Sequence, residues 1–202
     1  MLEVILAWDV RLFRLINGEW HTPLLDQVLP FVSDWQNYQI PILVAALAVV
    51  AVGRLRGLRF VVLAVVSVLV ADAIGAHLIK NLIGRPRPCT VLEDIQLLAG
   101  CTNSGSFPSN HAVNASVLAT LVTLYAGSLF VPAALVAMLI AYSRVYVGVH
   151  YPLDVLAGGL LGIIVALILA WITAFMSRSL GIGEDTPPGG RRRIHTLKMG
   201  DR

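Results

Sequence analysis

Between Ser143 and Asp154 the chain reads Ser-Arg-Val-Tyr-Val-Gly-Val-His-Tyr-Pro-Leu-Asp, so a guanidinium, an imidazole and a carboxylate interrupt a long apolar run. A charge at the centre of a membrane helix costs about 2.5–3.5 kcal/mol on insertion scales, which makes such residues a functional site by default. Pro152 fixes φ and lacks a donor, which suits the first turn of a helix, so a helix start is expected near Tyr151. His150 then stands at the mouth of that helix and Asp154 about one turn in, where its carboxylate can face the imidazole and fix the tautomer. Two further clusters carry related chemistry: Lys80, Arg85 and Arg87 in Lys-Asn-Leu-Ile-Gly-Arg-Pro-Arg-Pro, and Ser109, Asn110 and His111 in Phe-Pro-Ser-Asn-His. A lysine, arginines, a hydroxyl, two imidazoles and a carboxylate together suit a phosphate. Arg87 and Arg144 can grip phosphoryl oxygens in pairs, and Lys80 supplies a point charge. Pro108-Ser109 reads as a helix N-cap that leaves the N–H groups of Asn110 and His111 without intrahelical partners. Two helix N-termini are therefore expected to face one anion pocket.

The elements that must position these residues are membrane helices. Hydrophobic residues make up 57% of the 202, charged ones 13%, and the mean hydropathy is +0.78. Met1 to Trp8 has no basic region and too short an apolar stretch for a cleavable signal. The formal charge of +3 raises the question of nucleic acid, but the distribution of basic residues speaks of topology, and no nucleic-acid partner is expected. Nine of the fifteen Lys and Arg fall at Arg54, Arg56 and Arg59 or between Arg178 and Arg202. The positive-inside rule puts both groups in the cytoplasm. Lys80, Arg85, Arg87 and Arg144 lie on the other side, which marks them as candidates for chemistry.

Apolar segments at about Tyr38–Val52, Phe60–Ile83, Ala112–Leu129, Ala133–Val149 and Leu153–Met176 predict an all-α fold, a polytopic membrane bundle of about five transmembrane helices. Residues 1–37 read as interfacial amphipathic helices on the outer surface, residues 38–177 as the transmembrane catalytic domain, and residues 178–202 as a basic, disordered cytoplasmic tail around Arg191, Arg192 and Arg193. The long loop from Gly84 to Phe107 holds both cysteines, and on a periplasmic face Cys89 and Cys101 are expected to form a disulfide. Asp72, two turns before Lys80, is expected to pair within the bundle, and Asn114, one turn after His111, is a candidate for the pocket lining.

In order along the chain, Lys80-x6-Arg87-Pro88, Pro108-Ser109-x-His111 and Ser143-Arg144-x5-His150-x3-Asp154 resemble the three signature motifs of the type 2 phosphatidic acid phosphatase superfamily, in its membrane-bound branch. The resemblance implies that His150 is a nucleophile forming a phosphohistidine, that Asp154 orients it, and that His111 protonates the leaving oxygen and later activates water. It implies that Lys80, Arg87, Ser109, Arg144 and the Asn110 backbone hold the phosphoryl group, with Arg85 a further candidate, and that neither metal nor cofactor is needed. Asn110 stands where the family pattern has glycine, which bears on substrate preference. The expected activity is hydrolysis of a lipid phosphate or diphosphate, first of all undecaprenyl diphosphate, at the outer face of a bacterial inner membrane. Alternatives are phosphatidylglycerophosphate, phosphatidic acid or lipid A as substrate, transfer of the phosphoryl group to another lipid, and a non-catalytic lipid binder or transporter. The oligomeric state is not read from the sequence.

Overall fold

The computed structural model describes residues 1–180; most of the expected basic tail, including Arg191 to Arg193, lies outside the described residues. Helix α1 (Leu2–Arg14) runs into a π-helical turn at Leu15–Glu19, and α2 (Pro23–Ser33) follows. Thr22 caps α2, its hydroxyl accepting from the Leu25 N–H at 3.2 Å, and Pro23 takes the first helical position. A single long element, α3 (Gln36–Asp72), stands where two apolar segments were expected. Arg54 breaks it, with φ 49° and ψ −125°. Val49 and Gly57 would lie about 12 Å apart in a continuous helix, yet Gly57 meets the Val49 carbonyl so closely that no Cβ would fit there. The element is thus a helical hairpin. The expected basic loop is reduced to one kinked residue because Gly57 lets the two arms touch.

The second arm continues through a π-helical segment, Ala73–Ile79, into α4 (Lys80–Ile83), which stops at Gly84 in the left-handed region, φ 59°. After the short α5 (Pro88–Val91) and an extended loop come α6 (Asn110–Tyr125), α7 (Phe130–Tyr146) and α8 (Pro152–Ser179). By length and composition, Gln36–Val91, Gly127–Tyr146 and Pro152–Ser179 are able to cross a membrane. Helix α6, at 16 residues, spans about 24 Å and runs through the centre, packed on α3, α7 and α8.

Two cores organise the molecule. In the first, Leu63, Ala64 and Ala71 of α3 meet Val113, Val117 and Leu121 of α6 and Val165 and Ala166 of α8. Helices α6 and α8 approach closely because α8 presents glycines four apart: a Cβ at Gly158 would lie 2.6 Å from the Ser109 carbonyl, and one at Gly162 would collide with that of Val113. Small residues at this spacing let helix backbones touch in an apolar medium. In the second core, Phe13, Ile16 and Leu29 from the N-terminal helices cover Val145, Tyr146, Tyr151 and Val155. The N-terminal segment is therefore a cap packed on the end of the bundle where the chemistry-bearing residues lie.

Candidate active site

The three motifs meet at the α6 and α8 N-termini. The turn after α7 is tied back by its own carbonyls, since the Arg144 carbonyl accepts from both Val149 N–H at 3.3 Å and His150 N–H at 3.2 Å. Gly148 adopts φ +88°, and an added Cβ would lie 2.8 Å from the Gln96 carbonyl. That position needs glycine twice over, for its backbone and for its space. Asn17 clamps the same turn: its amide donates to the carbonyls of Tyr146 at 2.7 Å and Gln96 at 2.8 Å, and its own carbonyl accepts from Gln96 N–H at 3.0 Å. His150 is delivered 2% exposed.

The two ring nitrogens of His150 face different partners. Arg87 Nη1 donates to Nε2 at 3.2 Å. That leaves the ring proton on Nδ1, which lies 3.5 Å from Asp154 Oδ2, an ion-pair contact too long for a good hydrogen bond. Burial holds the His150 imidazole below its ordinary range, down to about 4; the nearby Arg87 and Arg144 push the same way and Asp154 opposes them. The ring is therefore neutral at pH 7, with its Nε2 lone pair toward the cations.

Around that ring the structure gathers positive charge. His111 stands within electrostatic reach of Arg144, His150, Lys80 and Arg87, and Lys80 within reach of Arg87, Asp154, Asp72 and Arg144. Arg87 is braced by Ser104, whose carbonyl accepts from Nε at 2.9 Å and whose hydroxyl accepts from Nη2 at 3.1 Å. Arg144 Nη1 donates to the Ser33 carbonyl and hydroxyl, while its Nε is buried without a partner among the described residues. Ser109 caps α6 by position, but its side chain makes no capping bond, and its buried hydroxyl has no partner among the described residues. Orphaned buried donors call for an explanation, and an anion supplies one. A cavity of about 570 Å³ opens beside Lys80 and Arg87 and is walled by Thr102, Asn103 and Ser104. The disulfide Cys89–Cys101, expected from the sequence, closes this wall, with Cα atoms 6.2 Å apart.

Several residues sit differently from expectation. The α8 N-terminus does not face the pocket with open N–H groups. Tyr151 N–H donates to Asp154 Oδ2 at 2.8 Å, and Leu153 N–H to Asp9 Oδ1 at 2.8 Å. Arg85, a candidate phosphate contact, lines the cavity and also bridges two carboxylates, donating from Nη1 to Asp154 Oδ1 at 2.8 Å and from Nη2 to Asp9 Oδ2 at 2.6 Å. Its guanidinium lies over the Tyr151 ring, 3.9 Å from the centroid. The side chains of Asn110 and Asn114 turn to Asp72, donating to Oδ1 at 3.0 and 3.3 Å. Asp72 thus pairs within the bundle as expected, and Asn110 offers the pocket its backbone rather than its amide.

Asp9, Asn17 and Ser33 escaped the sequence reading. A signal existed for two of them: Asp9, Phe13, Ile16 and Asn17 recur at helical spacing on the buried face of the first helix and its extension. A carboxylate and an amide on an otherwise apolar stripe need buried partners.

Comparison with known proteins gives the same picture. Residues 60–178 match the model of the PAP2 superfamily. The undecaprenyl-diphosphatase of Sulfolobus acidocaldarius is 32% identical over 161 residues, covering 79% of this chain and 76% of that one. The lipid A 4'-phosphatase of Bacteroides thetaiotaomicron is 28% identical over 95% of this chain and 87% of its own. The crystal structure of Aquifex aeolicus LpxE superposes with a TM-score of 0.66 at 31% identity, covering 80% of this chain and 94% of that one.

Proposed function

The chain belongs to the PAP2 superfamily and is a membrane lipid phosphatase; from that premise we propose that it hydrolyses an isoprenoid diphosphate, undecaprenyl diphosphate in the first place, through a phosphohistidine at His150. The observation that carries this reading is the contact of a neutral, lone-pair-bearing His150 Nε2 with Arg87, beside the half-buried Lys80, the Arg144 Nε and a Ser109 hydroxyl without a partner among the described residues.

A terminal phosphate entering the cradle takes over the Arg87 contact to Nε2 and accepts from Ser109 Oγ, Arg144 Nε and the first N–H groups of α6. Nε2 attacks phosphorus, the bond to the bridging oxygen breaks, and the electron pair leaves on that oxygen, which takes a proton from His111 in its imidazolium form; that proton enters with the substrate, whose negative charge offsets the cations around the ring. The Asp154 carboxylate, facing the Nδ1 proton, balances the positive charge that develops on the ring. In the second step water attacks phosphorus, His111 accepts its proton, and the P–N bond returns its electrons to Nε2. Fixed donors around the equatorial oxygens stabilise both transition states, and the covalent intermediate divides one difficult displacement into two.

The substrate assignment draws on the relative named for undecaprenyl diphosphate and on a polar cavity adjoining the cradle that is large enough for more than one phosphate. The placement of charge supports an outward-facing site and about five crossings. Phe60 packs on Tyr125 at the far end of α6, while Asp72 meets Asn110 at its start. The hairpin with Arg54, Arg56 and Arg59 therefore lies about 24 Å from the site, at the end where α8 finishes with Arg178.

Purified protein in detergent, given a panel of isoprenoid diphosphates, phosphatidylglycerophosphate, phosphatidic acid and lipid A, should release phosphate fastest from the isoprenoid diphosphates. His150→Ala should lower that rate by more than about 10⁴-fold while the protein stays folded. Near-native turnover in this variant would remove the nucleophile assignment, and preference for a glycerolipid would remove the substrate.

A further inference from the structure

The catalytic carboxylate is not held by its histidine alone. Both Asp154 oxygens are occupied from behind: Oδ1 accepts from Arg85 Nη1, and Oδ2 accepts from Tyr151 N–H before it meets His150 Nδ1. The other arm of the Arg85 fork ends on Asp9 of α1, whose second oxygen takes the Leu153 N–H of α8. Asp9 is 3% exposed and Asp154 fully buried. A continuous line of contacts at 2.6, 2.8 and 3.5 Å thus runs from the N-terminal cap to the imidazole.

We propose that Asp9 and Arg85 are positioning residues for the His150–Asp154 dyad, so that the N-terminal helix takes part in catalysis through charge. A guanidinium against Asp154 alone would draw off the negative charge that stabilises the ring proton as His150 becomes phosphorylated. Asp9 restores the balance: Asp9, Arg85 and Asp154 together carry one net negative charge, and it remains available to the imidazole. Asp9 also fixes the fork, because a guanidinium bonded at both ends and seated on Tyr151 is held in one orientation against the two carboxylates. Arg85 accordingly differs in role from Arg87, two residues on, which faces Nε2.

This inference rests on the reading of His150 as nucleophile, and the experiment separates the two. Release of phosphate from farnesyl diphosphate in detergent is measured for the native protein, Asp9→Asn, Asp9→Glu, Arg85→Gln and the double variant Asp9→Asn/Arg85→Gln, beside His150→Ala. Asp9→Asn keeps an acceptor for Leu153 N–H but removes the charge. It should lower kcat about tenfold, as loss of a residue that orients a functional histidine does, with KM within about twofold. Asp9→Glu, which keeps the charge, should recover part of the loss and secures the test if Asp9→Asn fails to fold. In the Arg85→Gln background Asp9→Asn should cost nothing further, because its effect passes through Arg85. An inactive His150→Ala with native kcat in a folded Asp9→Asn would overturn this proposal and leave the nucleophile intact. Full additivity in the double variant, or a raised KM at unchanged kcat in Arg85→Gln, would also overturn it, the latter by making Arg85 a phosphate contact. An active His150→Ala would instead remove the underlying mechanism.

Discussion

Two helices begin at the same site, and the chain treats their ends in opposite ways. At the α6 start, Ser109 sits in the capping position without capping, and its hydroxyl is buried and unengaged. At the α8 start, Asp154 and Asp9 answer the N–H groups of Tyr151 and Leu153, and Arg85 ties the two carboxylates together. Both ends carry the same partial positive charge. In the proposed mechanism one is left incomplete so that a phosphate can complete it; the other is completed from within so that the proposed nucleophile stays in place. Closeness to a pocket therefore does not identify a ligand-binding helix end. What identifies it is whether the protein has already answered its donors.

The sharpest way to break this contrast is to remove a charge from the completed end. Asp154→Asn should cut turnover by about 10³-fold or more, by analogy with loss of the carboxylate behind a catalytic histidine. It should also lower unfolding stability by about 3 kcal/mol, because Arg85 is left half-matched in a buried place. Loss of activity without loss of stability, measured by thermal unfolding in detergent, would show that the α8 end is not held as described. At the open end the expectation reverses. Ser109→Ala should lower kcat/KM by about 10²-fold, the cost of one donor to a developing oxyanion. Its unfolding temperature should be unchanged or slightly higher, since the hydroxyl has no partner to lose. A clear drop in stability would mean that the hydroxyl already has a structural role.

The smallest effect concerns protons. The His150 ring lies at about 4, below the ordinary 6.5, chiefly through burial. In an NMR titration its ring resonances should keep neutral-form shifts down to about pH 5, whereas an ordinary histidine would already be mostly protonated there. The linkage has a definite sign. The unfolded chain takes up this proton first, so stability present above about pH 6.5 is lost progressively as pH falls toward about 4. A midpoint between 6 and 7 would place the ring in a wetter, less confined setting.

Much of this was legible in local pattern. Pro152 set the α8 start within a residue, Ser109 the cap of α6, and the loop cysteines their bridge. Local rules reach one turn of helix, and within that range they served well. The carboxylate partners of Arg85 could not be read locally because they lie 69 and 76 residues away, beyond any spacing rule. The same distance hid Asp9, although its position on the inward stripe with Phe13 and Ile16 asked for a partner. The hairpin at Arg54 was masked by composition: a glycine among arginines reads as a loop, and only the packed backbone shows that the helix resumes at once.

The bridge between Cys89 and Cys101 has a practical corollary. It lies between Arg87 and the serine that braces it, so the thiol chemistry of the surroundings reaches the proposed phosphate cradle. Protein produced in a reducing host would carry every motif and still hold Arg87 slackly. Specific activity in such preparations would follow the fraction oxidised rather than the mass of protein.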